Sequence, residues 1–199
     1  MITAKNVRLG CGMLLLAIAT ASAVPGVYLT TGDSLLRYDL NTGFVGVVGT
    51  FPGATRGSFS DLLTTGPGGR IYSLGNSGIW QWDVGQGTAS QIITFGPELT
   101  AAPGGMATSG NSLYLTVGDS LLQYDPDTGA FIGIVGTFPG ATRGSLSDLL
   151  TSGPGNRIYS LGNSGVWQWN VTKGTASEVI TFGAEVTSTP GGLVSLHSP

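Results

Sequence analysis

The sequence predicts an all-β fold of four small sheets set in a ring, and three observations predict it. Residues 27–105 recur as 113–192 with one inserted residue, Ala130, and 59 of the 79 paired positions are identical. Within each copy lies a weaker repeat: Tyr28, Tyr72, Tyr114 and Tyr159 stand 44, 42 and 45 residues apart, each followed eleven positions later by Asp39, Asp83, Asp125 or Asn170. A period of about 43 residues is that of one four-stranded blade repeated radially. The third observation is composition, with 34 glycines in 199 residues and only 10% charged residues. Average proteins hold about 7% glycine and about 25% charge, so this chain is neutral and rich in turns. With 41% apolar residues it is too hydrophobic to stay unfolded.

Taken in order, the chain begins with an address. Met1 to Arg8 carries Lys5 and Arg8, an apolar run covers Leu9 to Thr20, and Ala21-Ser22-Ala23 offers a small-x-small cleavage site. That is the pattern of a secretory signal peptide over 1–23. The apolar run is too short for a bilayer core of about 30 Å, and an uncleaved anchor is the alternative. Cleavage after Ala23 leaves 24–199 as one domain of two near-identical halves, with six basic and eleven acidic residues and no cysteine. A secreted product, extracellular or periplasmic, with no membrane span after cleavage is expected. The absence of a basic cluster argues against nucleic acid, and a chain without cysteine has neither a disulfide framework nor a cysteine zinc site.

Each unit of about 43 residues reads as four short strands. In the second, "SDLLTT" (60–65), "RIYSL" (70–74), "GIWQWD" (78–83) and "ASQIITF" (89–95) are rich in β-branched and aromatic residues. They are separated by "GPGG", "GNS" and "VGQGT", whose Gly and Asn suit tight hairpins. Ile79, Trp80 and Trp82 make both faces of one strand apolar, which a sheet stacked between two others requires. The architecture expected is therefore a small β-propeller of four blades. The first unit lacks one strand, and "PGGLVSLHS" (190–198) aligns with "PGGMATSGN" (103–111), the start of the third unit. The C-terminal strand, Leu193 to His197 beside Val27 to Thr31, is thus expected to complete the first blade and close the ring, leaving no open strand edge.

"LLRYDLNTG" (35–43), "LLQYDPDTG" (121–129) and "DLLTTGPGGRIYSLGNSGIWQWD" (61–83) resemble repeats of the β-propeller superfamily, in particular the NHL and virginiamycin-B-lyase-like groups. The likeness covers nearly all of 27–198. It is fainter to hemopexin-type four-bladed domains, through "RIYSLGNSGIWQWD" and the blade count. These motifs are structural and imply fold more than activity. The lyase and lactonase relatives carry His or several acidic residues around the central channel, whereas this chain has His197 alone, near its end.

Four groups of residues are candidate sites. "DPDTG" (125–129) and "DLNTG" (39–43) place Asp125, Asp127, Asp39 and Asn41 in the spacing that opens an oxygen-only calcium loop. The bidentate acid further on is missing, so a self-capped hairpin turn is the simpler reading and no cofactor beyond weakly held Ca2+ is expected. Trp80, Trp82, Trp167 and Trp169 match Leu36, Tyr38, Leu122 and Tyr124 in the other units, which points to core filling between blades, with a saccharide platform or protein contact as the alternative. The loop "TFPGATRGS" is identical at 50–58 and 137–145 and brings Arg56 and Arg143. Guanidinium suits a carboxylate or phosphate ligand, and an ion pair with Asp61 or Asp148 is the plainer alternative. Asn170 opens an N-x-T sequon.

No G-x-S-x-G elbow, catalytic Cys or second His is present to build a nucleophile. Asp33 and Asp119, like Asp61 and Asp148, are repeat mates rather than an opposed carboxylate pair. The function expected is an exported binding or scaffold module without catalysis, its ligand a protein or carbohydrate. The alternatives are a self-assembling structural subunit, in which two four-unit chains pair into an eight-bladed ring or chains join head-to-tail through unmatched strands, and a degenerate or partial lyase-like enzyme.

Overall fold

The computed structural model describes residues 26–31, 33–50, 62–137, 149–162, 164–184 and 186. They form four antiparallel sheets, each a simple meander in which every strand pairs with the next. The first holds β1 (Val27–Thr31), β2 (Ser34–Asp39) and β3 (Gly43–Thr50); the second β4 (Leu63–Thr65), β5 (Ile71–Gly75), β6 (Gly78–Asp83) and β7 (Thr88–Thr94). The third holds β8 (Pro103–Ser109), β9 (Ser112–Val117), β10 (Ser120–Tyr124) and β11 (Phe131–Thr137); the fourth β12 (Leu150–Gly153), β13 (Arg157–Leu161), β14 (Gly165–Asn170) and β15 (Thr175–Thr181). These are four blades. The first has three strands among the described residues, as the missing strand of the first unit predicts. The segment expected to complete it, 190–198, lies outside the described residues, as do the signal peptide over 1–23, the loop arginines Arg56 and Arg143, and His197.

The strands form where the repeat places them because the turns leave little choice. Gly110-Asn111 joins β8 to β9 and Gly118-Asp119 joins β9 to β10, each a two-residue hairpin opened by a glycine at φ 57° and 53°. The turn before the last strand of every blade is capped by an Asp or Asn at the end of the preceding strand or directly after it. Asp39 Oδ1 accepts from the Asn41 and Thr42 amides at 2.8 and 2.9 Å, and Asp83 Oδ1 from Gln86 at 3.0 Å. Asp125 Oδ1 accepts from Asp127 at 2.8 Å, and Asn170 Oδ1 from Lys173 at 3.0 Å. This local capping explains why Asp or Asn recurs there. The inserted Ala130 is absorbed in the third blade's version of the turn, where its carbonyl accepts from the Asp125 amide.

A second device recurs in all four blades. The pairing of the last two strands of each blade shifts by one residue between Leu35 and Leu36, Ile79 and Trp80, Leu121 and Leu122, and Val166 and Trp167. The residue left over on the outer strand is Val48, Ile92, Val135 or Val179, a β-bulge. In the first three blades the bulged carbonyl faces the next blade. There the last glycine of that blade's capped turn meets it: Gly87 against the Val48 carbonyl, Gly129 against that of Ile92, Gly174 against that of Val135. These glycines sit at φ 68°, 74° and 65°. A side chain would be strained there and would also run into backbone oxygen, so glycine serves both the turn and the close approach. Bulge and turn together latch each blade to its neighbour.

Three cores lie between successive blades. Leu35 of the first packs with Ile71, Trp80 and Trp82 of the second, and Tyr28 and Val48 join them. Tyr72, Leu74, Ile79 and Ile93 of the second pack against Leu113, Leu115, Leu122 and Tyr124 of the third. Ala107, Tyr114 and Leu121 of the third pack against Leu150, Ile158, Trp167 and Trp169 of the fourth. The central strands of the second and third blades are therefore buried on both faces, which is why their sequences lack the apolar–polar alternation of a one-sided sheet. The middle interface carries a polar rim. The Tyr124 hydroxyl donates to Glu98 at 3.0 Å, and Arg70 pairs with Asp127, which also accepts from Asn111 at 2.9 Å. Among the described residues no helix is long and apolar enough to cross a membrane.

Candidate functional site

The first strands of the blades meet at the centre, where β8 lies against β4 on one side and β12 on the other. Between them is a cleft of about 390 Å³ bordered by all four blades. Leu63, Thr64 and Thr65 come from β4, Met106 and Ala107 from β8, and Leu150, Thr151 and Ser152 from β12. Where the first blade shows no inner strand among the described residues, Gly26 and Tyr28 front the cleft directly. The described lining is aliphatic with a set of hydroxyls, and contains no carboxylate, imidazole, amine or thiol. Thr108, next along β8, donates to the Thr65 carbonyl at 2.6 Å and ties two inner strands together below the cleft.

The indoles are elsewhere. Trp80, Trp82, Trp167 and Trp169 are buried between blades, at most 8% exposed. The Nε1–H of Trp82 donates to Ser73 Oγ and that of Trp169 to Ser160 Oγ, both at 2.8 Å. The four indoles therefore pack between blades, in keeping with core filling. The reason is geometric: the indoles of β6 face the first blade and those of β14 face the third, so each is covered by the neighbouring sheet.

The four calcium-loop candidates are committed to their own turns and to a neighbouring blade. Asp39 has its carboxyl held below the ordinary range by hydrogen bonds from the Thr42 and Asn41 amides. The Thr128 hydroxyl and the Asp127 amide do the same for Asp125. The Asn111 amide and then the Arg70 guanidinium do it for Asp127. Asn41 donates its backbone amide to Asp39. Among the described residues no three His, Cys, Asp or Glu side chains converge. A carboxyl whose pKa is depressed by folding adds stability that is full above its unfolded value of about 3.9 and is lost as pH falls through the folded value. The urea midpoint is therefore expected to hold steady from pH 7 to 5 and to drop below pH 4. Pairwise replacement of Asp39 and Asp125 by Asn should shrink that drop in a denaturation series.

The sequence holds no signal for the cleft hydroxyls, because Thr and Ser are spread through the whole chain and only the convergence of inner strands singles out these few. It also gave none for the outer strands β3 and β11. There Val45, Val47, Ile132 and Ile134 are half or more exposed, between 50% and 59%.

Comparison with known proteins bears on the fold. No family model and no curated protein matches the chain. Among solved structures, it superposes on a protein of unknown function from Bacteroides thetaiotaomicron with a TM-score of 0.56 at 14% identity, over 77% of this chain and 43% of that one. Streptogramin B lyase gives 0.54 at 17% identity, over 76% and 50%. A gluconolactonase from Xanthomonas campestris gives 0.51 at 16%, over 71% and 53%. The fold is a β-propeller. In each case the chain spans about half the length of the structure it resembles or less, and at such identities the propeller likeness is one of architecture alone.

Proposed function

We propose that the chain is an exported β-propeller that binds an uncharged, hydroxyl-bearing ligand, of the saccharide class, at its axial cleft and carries out no chemistry on it. The observation that carries this reading is the composition of the cleft. Thr64, Thr65, Thr151 and Ser152 offer donors and acceptors beside Leu63, Met106 and Leu150, and a volume near 390 Å³ falls in the usual range for small ligands. Neutral hydroxyls can match the hydroxyls of a sugar while the aliphatic side chains cover its C–H faces. A carboxylate or phosphate ligand would find no cation in the described lining. The signal-peptide pattern over 1–23 supports the export reading.

Catalysis by proton transfer is most often the work of His, Asp, Glu or Lys, and the described lining holds none of them. The expected result is binding of neutral mono- or disaccharides in a calorimetric screen of residues 24–199, without turnover of lactone or glycoside. Thr64→Val with Thr151→Val should weaken it at least about tenfold, on the scale of two lost hydrogen bonds. Binding unchanged in that double variant, or no binding across the neutral sugars, would remove the axial cleft from consideration.

A further inference from the structure

The latch joining successive blades is used three times among the described residues, and each end of the series leaves half of one open. Gly43, the turn glycine of the first blade, sits at φ 83° with nothing described within 4 Å of where a Cβ would stand. Val179, the bulged residue of the fourth blade, is 47% exposed. The interface between the second and third blades shows what these halves are built to meet. By the repeat, the fourth blade is a copy of the second and the first is a copy of the third. Ile180 corresponds to Ile93, Phe182 to Phe95 and Arg157 to Arg70; Val27, Leu29, Tyr38 and Asn41 correspond to Leu113, Leu115, Tyr124 and Asp127. In the made interface Ile93, Leu113 and Leu115 are at most 1% exposed, whereas Ile180, Val27 and Leu29 are 55%, 45% and 38% exposed. The two end faces are thus complementary, and among the described residues both stand open.

We propose that the fourth-blade face of one chain packs on the first-blade face of a second copy, and the reverse, so that two chains complete one eight-bladed ring. Such a contact is head-to-tail, and two of them close when the chains are related by a two-fold axis. The new interface repeats the Gly129–Ile92 latch as Gly43 on Val179 of the partner copy, and the Phe95–Tyr124 ring contact, at 6.4 Å, as Phe182 on Tyr38. It differs in one respect. Arg157 meets Asn41 where Arg70 meets Asp127, so the contact between copies lacks the ion pair and rests on apolar burial.

The test is the mass of the mature chain, residues 24–199, by light scattering across a hundredfold concentration range. Twice the chain mass is expected. Ile180→Asp, a change at an exposed residue, should move the species to the monomer with a concentration-dependent dissociation at least about a hundredfold weaker, while its far-ultraviolet spectrum is unchanged. Ile132→Asp, equally exposed but on neither end face, should leave the mass alone. A wild-type monomer throughout the range, or a dimer that survives Ile180→Asp, overturns the proposal; so does a dimer lost equally in the Ile132 variant. Sugar binding at the axial cleft is read separately and neither result decides the other.

Discussion

Trp169→Ala is expected to destabilise the fold by about 3–5 kcal/mol, the range for removing a large aromatic from a packed core. Trp169 is 1% exposed and sits in the core between the third and fourth blades with Ile158, Leu150 and Tyr114. Its loss opens a cavity that rigid sheets on both sides cannot collapse. It also strips the buried Ser160 hydroxyl of its donor, which adds the cost of an unsatisfied polar group. Trp169→Phe separates the two effects by keeping most of the volume and losing only the N–H; about 1–3 kcal/mol is expected. Urea unfolding at constant slope measures both. If Trp169→Ala left the midpoint in place, the indole would not be interblade filling.

Gly174→Ala is the second change with a large effect, at about 2–5 kcal/mol. About 1–2 kcal/mol comes from holding a Cβ in the left-handed region. A further 1–3 kcal/mol, roughly, comes from overpacking against the Val135 carbonyl of the preceding blade. Gly118→Ala is the control, since Gly118 sits at φ 53° in a two-residue turn with nothing within 4 Å. It should show the first cost without the second. Equal losses in thermal unfolding would mean that the turn glycines serve only their own turns and that the latch carries no energy.

Most of the fold was legible because the sequence states it four times. The spacing from Tyr28 to Asp39, repeated as Tyr72 to Asp83, marks a second strand, a hairpin and a capped third strand, and local hydrogen bonds of Asp and Asn enforce those turns. The strand "GIWQWD" appears as β6 with the expected bounds, whereas "SDLLTT" is described as a strand only from Leu63 to Thr65. The bulge at Val48, Ile92, Val135 and Val179 was not legible. It carries no special residue, and its sense lies in a carbonyl handed to the next sheet, a relation between segments some 40 residues apart. The cleft was hidden for a similar reason. Thr64 and Thr151 look like any surface threonine until three inner strands converge. The tryptophans were read both ways from sequence, as Trp and Leu exchange between units, and burial settles their place between blades.

The claim beneath all of this is that the sheets are stacked as blades through glycine–bulge latches. Nuclear Overhauser contacts between backbone protons test it most directly in a labelled sample of residues 24–199. Cross-peaks are predicted from Gly49 to Gly87, from Gly136 to Gly174, and from Gly129 to Ile92 or its neighbour, alongside the ordinary contacts within each sheet. Intact contacts inside the sheets with none of these three between them would contradict the stacking and, with it, the cleft and the end faces.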